Sequence, residues 1–457
     1  MSGNLDTSLH YFLIFNPKLG QKEGTEHEKI LFFYPQTISI GDQTNFVGLT
    51  EGYIVCTRQF SPEKPCEFIH TQKNTITILS PEPDIWIVMS VSNPSQPGKD
   101  AKQRDYVEDE TDEFILKRVA QQVYSMWTLF NGPLLKLPQD KQPINYEQLR
   151  KRVDQFLKPY IQQMAFDQLD IFNSLDGIRF LPLNKNVYLT LISYVNSIEC
   201  NFQSTIPSFK FGTLLYKDNI IWSSLNQNDT RSIYNYLTNI VKIGSDSSTG
   251  GTSWMILNNN GEPNWHTKGS KKNGFLNMID LTSKSTLPFV YLEDKEKQTT
   301  MIIYEQKDTI ILFFIDPVDI HLLKFEELSA SLVSKFEFIN PILDDSYTKK
   351  SFFDDQYKYI YFNQMNLAIR ASIKSKSPEL TKDILKILND IHADFETSSE
   401  NISETIIKTQ TDRWIVAKRI DFREFYFIFD NKNTTLLEID EEVKNLTNKY
   451  FKNLFIE

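Results

Sequence analysis

The chain has 457 residues, of which 40% are hydrophobic and 24% are charged. This length corresponds to roughly three domains of about 150 residues, and the composition is typical of globular proteins, which excludes a wholly disordered chain. The 49 basic and 59 acidic residues give a formal net charge of -10. Since phosphate backbones attract basic surfaces, this balance argues against nucleic acid as a partner.

The three cysteines, Cys56, Cys66 and Cys200, are odd in number and lack the spacing of metal ligands. We therefore expect free thiols in a reducing compartment, the cytoplasm. The short apolar run that starts at Leu9 lacks the basic flank of an export signal. No run of eighteen apolar residues could cross a bilayer, so we expect any membrane contact to be peripheral.

The first third of the chain predicts a layered arrangement of strands and helices. Strands are expected to stop at Pro17 and Pro35, because proline cannot donate to a strand ladder, and a helix is expected to stop at Gly132. A polar stretch at residues 92–111 predicts a solvated loop. The predicted strands cover residues 9–15, 30–34, 74–79 and 85–91, and the predicted helices cover residues 45–59, 112–131 and 146–164, the last bent at Pro159.

A similar order of elements recurs after Asp176, which indicates an internal structural repeat. Residues 244–272 are rich in Ser, Asn, Gly and Thr, and this composition predicts a floppy insertion. The predicted strands cover residues 209–216, 220–223, 299–304, 309–315, 357–362, 414–418 and 422–429, and the predicted helices cover residues 229–241, 322–336, 380–395 and 438–451.

Sequence motifs for catalysis or cofactor binding are missing. The glycine- and serine-rich run at residues 244–251 lacks the lysine that a phosphate-binding loop requires, and no nucleophile elbow is present. The six histidines are scattered without metal-ligand spacing, so no metal or cofactor is expected. His70 lies in a polar loop, where it is either a contact residue or simply solvated. A hydrolase site assembled from distant polar residues stays an alternative.

Eight short runs, in order along nearly the whole chain, resemble the Ccz-one subunit of the Mon-one/Ccz-one complex, a family of vacuolar and late-endosomal fusion factors. They include FNPKLGQKEG at residues 15–24, LLYKDNIIWS at 214–223 and YFNQMNLA at 361–368. The others are residues 28–35, 60–62, 70–74, 169–172 and 180–183. Residues 244–284 and the acidic stretch near Glu108 depart from the family pattern and carry no inference about function.

The resemblance implies an α/β fold of three longin-like domains, each a mixed, mainly antiparallel sheet flanked by helices. The first longin domain would cover residues 8–170 and bind the partner and the GTPase. The second would cover residues 171–345, with a disordered insertion near 244–284, and the third residues 346–457.

The resemblance also implies partners and an activity. The chain would form a heterodimer with a Mon-one-type longin protein, and the pair would exchange guanine nucleotide on a late-endosomal Rab GTPase of the Rab-seven class. Exchange promotes endosome maturation and fusion with the lysosome or vacuole, including fusion of autophagosomes. The chain would be cytoplasmic, without catalytic chemistry of its own, and recruited to late endosomes, lysosomes or vacuoles through peripheral contact with phosphoinositide-containing membranes. The alternative is a longin-based scaffold or tether without exchange activity.

We expect the shared surface for partner and GTPase on the strand at residues 30–35 and the helix that follows it. The opposing interpretation is that the apolar side chains of that helix only pack on the sheet of their own domain. Half of an obligate interface would also leave an exposed apolar patch on the first domain. The candidate residues for partner and GTPase binding are Ile30, Phe32, Tyr34, Pro35, Phe46, Leu49, Tyr53 and His70.

Overall fold

The structure is a computed structural model of the 457-residue chain. It describes residues 8–63, 65–97, 104–106, 112–135, 144–164, 166, 170–240, 253–257, 263–267, 273–275, 287–292, 297–354, 357–373, 377–397, 404–430 and 434–447. The chain divides into two compact units. The first unit contains residues 1–174 and 260–263, and the second contains residues 175–259 and 264–457.

The first unit is built on a five-stranded antiparallel sheet with the order β2-β1-β5-β4-β3. Its elements are β1 (Ser8–Phe15), β2 (Ile30–Tyr34), α1 (Ile40–Phe60), β3 (Phe68–His70), β4 (Asn74–Glu82), β5 (Ile85–Ser92), the short pair β6 (Ser95–Pro97) and β7 (Arg104–Tyr106), α2 (Glu113–Asn131) and α3 (Tyr146–Gln162).

Local sequence signals set the ends of these helices. Ser39 caps α1 by accepting from the Asp42 N–H, and Asp112 caps α2 by accepting from two backbone N–H groups. Such side chains satisfy donors that a helix start leaves without intrahelical partners. Gly132, with φ of 72°, ends α2. The left-handed region favours glycine, so this helix stops where its sequence predicted.

The first sheet is covered on both faces. On one face, α1 contributes Val47 and Ile54 to an apolar cluster with side chains of β1, β2, β4 and β5. On the other face, α2 packs over β4 and β5, while α3 packs over β2. The ring centroids of Trp127 and Phe156 lie 5.6 Å apart between α2 and α3. Strands buried on both faces explain the nearly continuous apolar sequence of β5.

The second unit begins at the last residue of α4 (Ile171–Leu175) and contains two further sheets. The earlier sheet has the order β10-β9-β16-β15-β13, with β14 also pairing β15, and one apolar cluster joins it to α5 and α7. In chain order, the elements of this region are β8 (Ile178–Arg179), α5 (Lys185–Gln203), β9 (Lys210–Tyr216), β10 (Asn219–Ser223), α6 (Gln227–Asn235), β11 (Ser253–Leu257), β12 (Pro263–Thr267), β13 (Asn273–Phe275), β14 (Phe289–Tyr291), β15 (Gln298–Gln306), β16 (Thr309–Ile315) and α7 (Phe325–Asp354). Strands β11 and β12 pair only with each other in the described part of the chain.

The last sheet has the order β19-β20-β21-β17-β18-β8. Helix α9 packs with the aromatic side chains that β17 and β21 direct to one face. Its elements are β17 (Lys358–Asn363), β18 (Ala368–Ala371), α8 (Lys382–Thr397), β19 (Glu404–Lys408), β20 (Trp414–Ile420), β21 (Arg423–Phe429) and α9 (Leu436–Leu446).

All three sheets follow the same plan. Counting only the strands of each domain itself, the second strand lies outermost on one side, the first lies next to it, and the last strand pairs with the first. In the second unit, these outermost second strands are β10 and β18. One linking segment, residues 178–181, contacts the outer side of both. Its first half pairs with β18, and Phe180 then bridges to Ile220 of β10. The Leu181 N–H donates to the Ile220 carbonyl at 3.1 Å.

Most of the predicted elements are confirmed, but several differ in extent. The helix predicted at 45–59 begins earlier, at Ile40, because Ser39 supplies the cap. The helix predicted at 322–336 is α7, which continues through Pro341 to Asp354, so the proposed boundary between residues 345 and 346 lies inside a helix. The end of the helix predicted at 438–451 lies outside the described residues.

Some segments were predicted incorrectly or not at all. The stretch at residues 92–111 contains the short strands β6 and β7, although a loop was predicted there. Strands β11, β12 and β13 lie within the predicted insertion, and most of its remaining residues lie outside the described part. Helix α5 was not predicted, although its Asn184 cap and its buried Leu191, Val195 and Ile198 follow helical spacing.

Candidate functional site

Helix α1 has one buried face and one exposed apolar face. The buried face carries Val47, Thr50 and Ile54. These residues recur at intervals of three and four and therefore share one side of the helix. The predicted contact residue Leu49 lies on the other side, 49% exposed. The apolar residues of α1 are thus divided between the domain core and the solvent.

Four large apolar side chains of α1 are exposed. Ile40 is 66%, Leu49 49%, Val55 60% and Phe60 84% exposed. Within the described residues of the first unit, these are the large apolar side chains with the highest exposure. We call the face formed by Leu49 and Val55, with the neighbouring glycines, the α1 outer surface. Large apolar side chains exposed along one helix are typical of protein contacts.

Two glycines lie between these apolar side chains. Gly48 and Gly52 are one helical turn apart, and a Cβ atom built on either would meet no atom within 4 Å. Glycine inside a helix costs about 1 kcal/mol relative to alanine. Among the described residues, no neighbouring atom requires these two residues to be so small. They do allow another chain to approach the α1 backbone closely.

Phe46 lies at the border of the core. Its ring stacks on Tyr11 with a centroid separation of 4.4 Å and meets His10 edge to face at 5.7 Å. Burial lowers the pKa of His10, and His10 Nδ1 has no hydrogen-bond partner among the described residues. Phe46 is therefore mainly a packing residue. Tyr53 is half-buried on the same helix.

The predicted residues of β2 point in different directions. Phe32 is buried on the face covered by α3, with its ring 6.3 Å from that of Phe12. Ile30 is half-buried against the α1 cluster, and Tyr34 and Pro35 are half-buried at the end of the strand. Phe32 therefore packs inside the domain in this structure, and its role in partner or GTPase binding stays a prediction.

Strand β2 is nevertheless the edge of its sheet. Its one strand neighbour in the described part of the chain is β1. Arg150 of α3 reaches this edge and donates from Nε to the Ile30 carbonyl at 2.8 Å. This contact gives one backbone carbonyl of the edge a hydrogen-bond donor. It is one feature of the candidate site that sequence patterns could not predict, since the two residues are far apart in the chain.

His70 does not lie near β2. It ends β3 at the opposite edge of the sheet, four strand spacings away, or about 19 Å. Its Nε2 contacts the Glu113 carboxylate at the start of α2. The structure therefore groups the predicted residues of β2 and α1 on one side of the domain and places His70 elsewhere.

The FNPKLGQKEG run forms the β1–β2 connection and has a structural role. Asn16 accepts from the Lys18 N–H at 2.9 Å, and Lys18 pairs with Asp84 at 2.6 Å. Gly20 has φ of 53°, and a Cβ atom there would lie 2.3 Å from the Thr25 carbonyl oxygen. Only glycine fits such a turn. This run fixes the loop that leads into β2.

No helix in the described part of the chain is long and apolar enough to cross a membrane. The same residues contain no group of three or more His, Cys, Asp or Glu side chains placed to hold a metal ion. The candidate site itself is an apolar and glycine-containing surface next to a sheet edge.

Comparison with known families defines the class of protein. Residues 9–132 match the first longin domain of INTU, CCZ1 and HPS4. Residues 209–337 match Intu longin-like domain 2, and residues 353–446 match Intu longin-like domain 3. The protein is therefore an α/β protein of three longin-like domains, and this predicted fold is confirmed. The domain limits 8–170, 171–345 and 346–457 stay predictions.

Relatives define the family. The vacuolar fusion protein CCZ1 homolog of Dictyostelium discoideum is 59% identical over 452 residues, which cover 99% of this chain and 98% of that protein. The homologs of Nematostella vectensis and Xenopus laevis are 35% and 34% identical, and each alignment covers at least 97% of both chains. This chain belongs to the vacuolar fusion protein CCZ1 family. The resemblance to the Ccz-one family is thereby confirmed.

Proposed function

We propose that the chain is one subunit of a heterodimeric guanine nucleotide exchange factor that activates a late-endosomal Rab GTPase of the Rab-seven class. Its partner is a Mon-one-type longin protein. The pair acts in endosome maturation and fusion with the lysosome or vacuole, including that of autophagosomes. Membership of the CCZ1 family supports the role in vacuolar fusion. The α1 outer surface is the observation that carries the role as a subunit.

The proposed exchange requires no nucleophile or metal from this chain. A GTPase holds its nucleotide through a phosphate-binding loop, magnesium and ordered switch loops. A protein that binds the nucleotide-free form more tightly must weaken nucleotide binding by the same free energy. The chain therefore contributes binding surface, and exchange activity is expected only when the partner is present.

The α1 outer surface and the β2 edge give this binding surface two suitable parts. Leu49 and Val55 offer apolar area that loses contact with water when a partner binds. The glycines between them allow close approach, and the β2 edge offers backbone groups for strand pairing. The partner thus covers the α1 side of the first domain, and the GTPase binds the surface that the two subunits form together.

The proposed location follows from the same partners. The cytoplasmic heterodimer is recruited to late endosomes, lysosomes or vacuoles by peripheral contact with phosphoinositide-containing membranes. Binding of the purified pair to vesicles with and without a phosphoinositide tests this contact. Equal binding to both vesicles would contradict it.

The central test measures nucleotide release from a late-endosomal Rab loaded with fluorescent GDP. Wild-type chain with its partner should accelerate release, whereas either subunit alone should not. Leu49→Glu should weaken partner association by about 30-fold, because a carboxylate at the centre of an apolar contact costs about 2 kcal/mol. The stability of the isolated chain should stay unchanged, since Leu49 is exposed.

The matched control is Leu437→Glu, an equally drastic change at an exposed leucine of α9. It should leave association and exchange intact. No acceleration by the wild-type pair would contradict the proposal. A stable complex with the Rab whose release rate stays unchanged would favour the alternative of a scaffold or tether.

A further inference from the structure

The second unit contains an apolar cleft that the proposed exchange activity does not use. The cleft has a volume of about 790 Å³ and lies beside the linking segment, bordered by strands of both domains in that unit. Leu183, Ile221 and Trp222 form part of its apolar wall, and Leu189 and Met365 lie at its rim. A volume of this size falls within the range of sites for drug-sized ligands.

The charged side chains that line the cleft are both cations. Lys185 and Arg370 are the charged members of the lining, and no carboxylate is among its described residues. The chain as a whole has a net charge of -10. The cleft is therefore a local exception to the charge of the chain, and it favours an anionic group on an incoming molecule.

The start of α5 reinforces this preference, whereas Asp229 in the first turn of α6 offsets the charge of that helix start. The first residues of α5 and α6, Lys185 and Gln227, both line the cleft. A helix start carries a partial positive charge that favours anions. Gln227 Nε2 also donates to the Met365 carbonyl at 3.1 Å, which links α6 to the turn between β17 and β18. This hydrogen bond joins two of the elements that line the cleft.

The rim of the cleft indicates what kind of molecule fits. Leu189 is 53% and Met365 is 69% exposed, so the apolar surface continues out of the cleft toward solvent. A lone acyl chain in an open cleft would keep apolar surface in water. A peptide can bury apolar side chains and keep its polar groups in water. An open cleft therefore favours a peptide.

We propose that this cleft docks a short peptide segment of another protein that combines acidic and apolar side chains. The apolar side chains fill the space between Trp222 and Leu189. An acidic side chain lies near Lys185, Arg370 and the start of α5. The proposal concerns the second unit and is independent of the α1 outer surface.

The test starts from the full-length chain and a phage-displayed library of random dodecapeptides. Selected peptides should combine aspartate or glutamate with large apolar residues. One selected peptide, labelled with fluorescein, then reports binding by fluorescence anisotropy. Lys185→Glu should raise its Kd by about tenfold or more, because the charge that attracts the acidic group is reversed. Leu189→Glu should have a similar effect.

These substitutions are chosen to keep the fold intact. Lys185 is exposed at the first position of α5, where a glutamate is favourable for the helix itself. Lys349→Glu and Leu437→Glu are matched controls at exposed positions outside the cleft, and they should leave the Kd within about twofold. Unfolding midpoints of all four variants check that each one is folded.

Three results would overturn the proposal. The first is that selection enriches no peptides with both acidic and apolar residues. The second is that the selected peptide binds Lys185→Glu and Leu189→Glu as tightly as it binds the wild-type chain. The chain could instead bind vesicles of phosphatidylcholine and phosphatidylserine in a way that Lys185→Glu abolishes, without selecting any peptide. That last result would assign the cleft to an anionic lipid.

Discussion

The first and third longin domains share a strand order but treat the same sheet edge differently. In each, the second strand, β2 or β18, is the outermost of the domain's own strands on one side of the sheet. The linking segment covers β18 by parallel pairing, in which Ile178 faces Ala368. In the described residues, no strand covers β2, and Arg150 contacts only its start. The strand edge that pairs with another segment of the chain in the third domain thus has no strand partner among the described residues of the first domain.

This difference has a physical basis. An uncovered strand edge presents backbone donors and acceptors that invite pairing, so proteins cover such edges or use them for association. In the third domain, the Ile178 N–H donates to the Leu367 carbonyl at 2.7 Å. In the first domain, Arg150 donates to the Ile30 carbonyl at the β2 edge. We propose that the partner pairs with the other backbone groups of this edge.

The helices that follow these edge strands also cover different interiors. Helix α1 packs on an apolar and aromatic cluster, whereas α8 packs over a buried polar centre. There, the Glu424 carboxylate accepts from Tyr426 Oη and Gln364 Nε2, both at 2.6 Å, and lies 2.9 Å from His392 Nδ1. Burial, together with this carboxylate, raises the pKa of Tyr426 well above its ordinary value. Four sets of substitutions would test the contrast between the two domains.

The largest effect is expected at the polar centre of the third domain. Glu424→Ala should destabilise the second unit by about 3–5 kcal/mol, because it leaves the buried partners of Glu424 without their acceptor. Glu424→Gln keeps one acceptor oxygen and should cost clearly less. Urea unfolding followed by circular dichroism measures both. Equal stability of Glu424→Ala and wild type would show that the network contributes nothing.

The second largest effect is expected where the linking segment pairs with β18. Ile178→Ala should cost about 2–4 kcal/mol, because Ile178 is buried where β8 meets β18. Ile40→Ala, at an exposed residue of α1, should change stability by less than about 0.5 kcal/mol. Chemical denaturation of the two variants compares the two regions directly. A similar cost for both would contradict the distinction between them.

The glycines of α1 should give opposite effects on stability and binding. Gly48→Ala and Gly52→Ala should each stabilise the isolated chain by about 1 kcal/mol, because the added methyl group meets open space in a helix. The same methyl groups should weaken association with the partner by preventing close approach. Thermal unfolding and a pull-down titration measure the two quantities.

Gly20→Ala is the control for this pair. Its φ of 53° and the nearby Thr25 carbonyl predict destabilisation instead of stabilisation. If the α1 variants were stabilised but bound the partner as tightly as wild type, the α1 outer surface would not be the interface.

The smallest effect concerns pH and His10. Burial lowers the pKa of His10, so the unfolded chain takes up its proton at a higher pH than the folded chain. Stability that His10 contributes is therefore present above pH 6.5 and is lost as the pH falls below it. His10→Phe should reduce the loss of stability between pH 7.5 and 5.5 in urea unfolding. An unchanged pH dependence would contradict this role.

The sequence by itself determined the fold and the family. Apolar runs of β1, β5 and β16 and the stop of α2 at Gly132 are local signals that depend on neighbouring residues, and they were predictable for that reason. The ordered motifs identified the family without any knowledge of contacts. The candidate helix α1 was also found in this way, although its limits and its buried face were not.

Only the tertiary structure decided which side of each element faces solvent. Phe46 and Leu49 looked equivalent in sequence, yet one packs on Tyr11 and the other is exposed, because the orientation of α1 on the sheet sets their environment. The strand order places His70 at the edge of the sheet opposite β2. The covering of β18 by Ile178 and the cleft beside it arise from pairing between residues far apart in the chain, which no local pattern encodes.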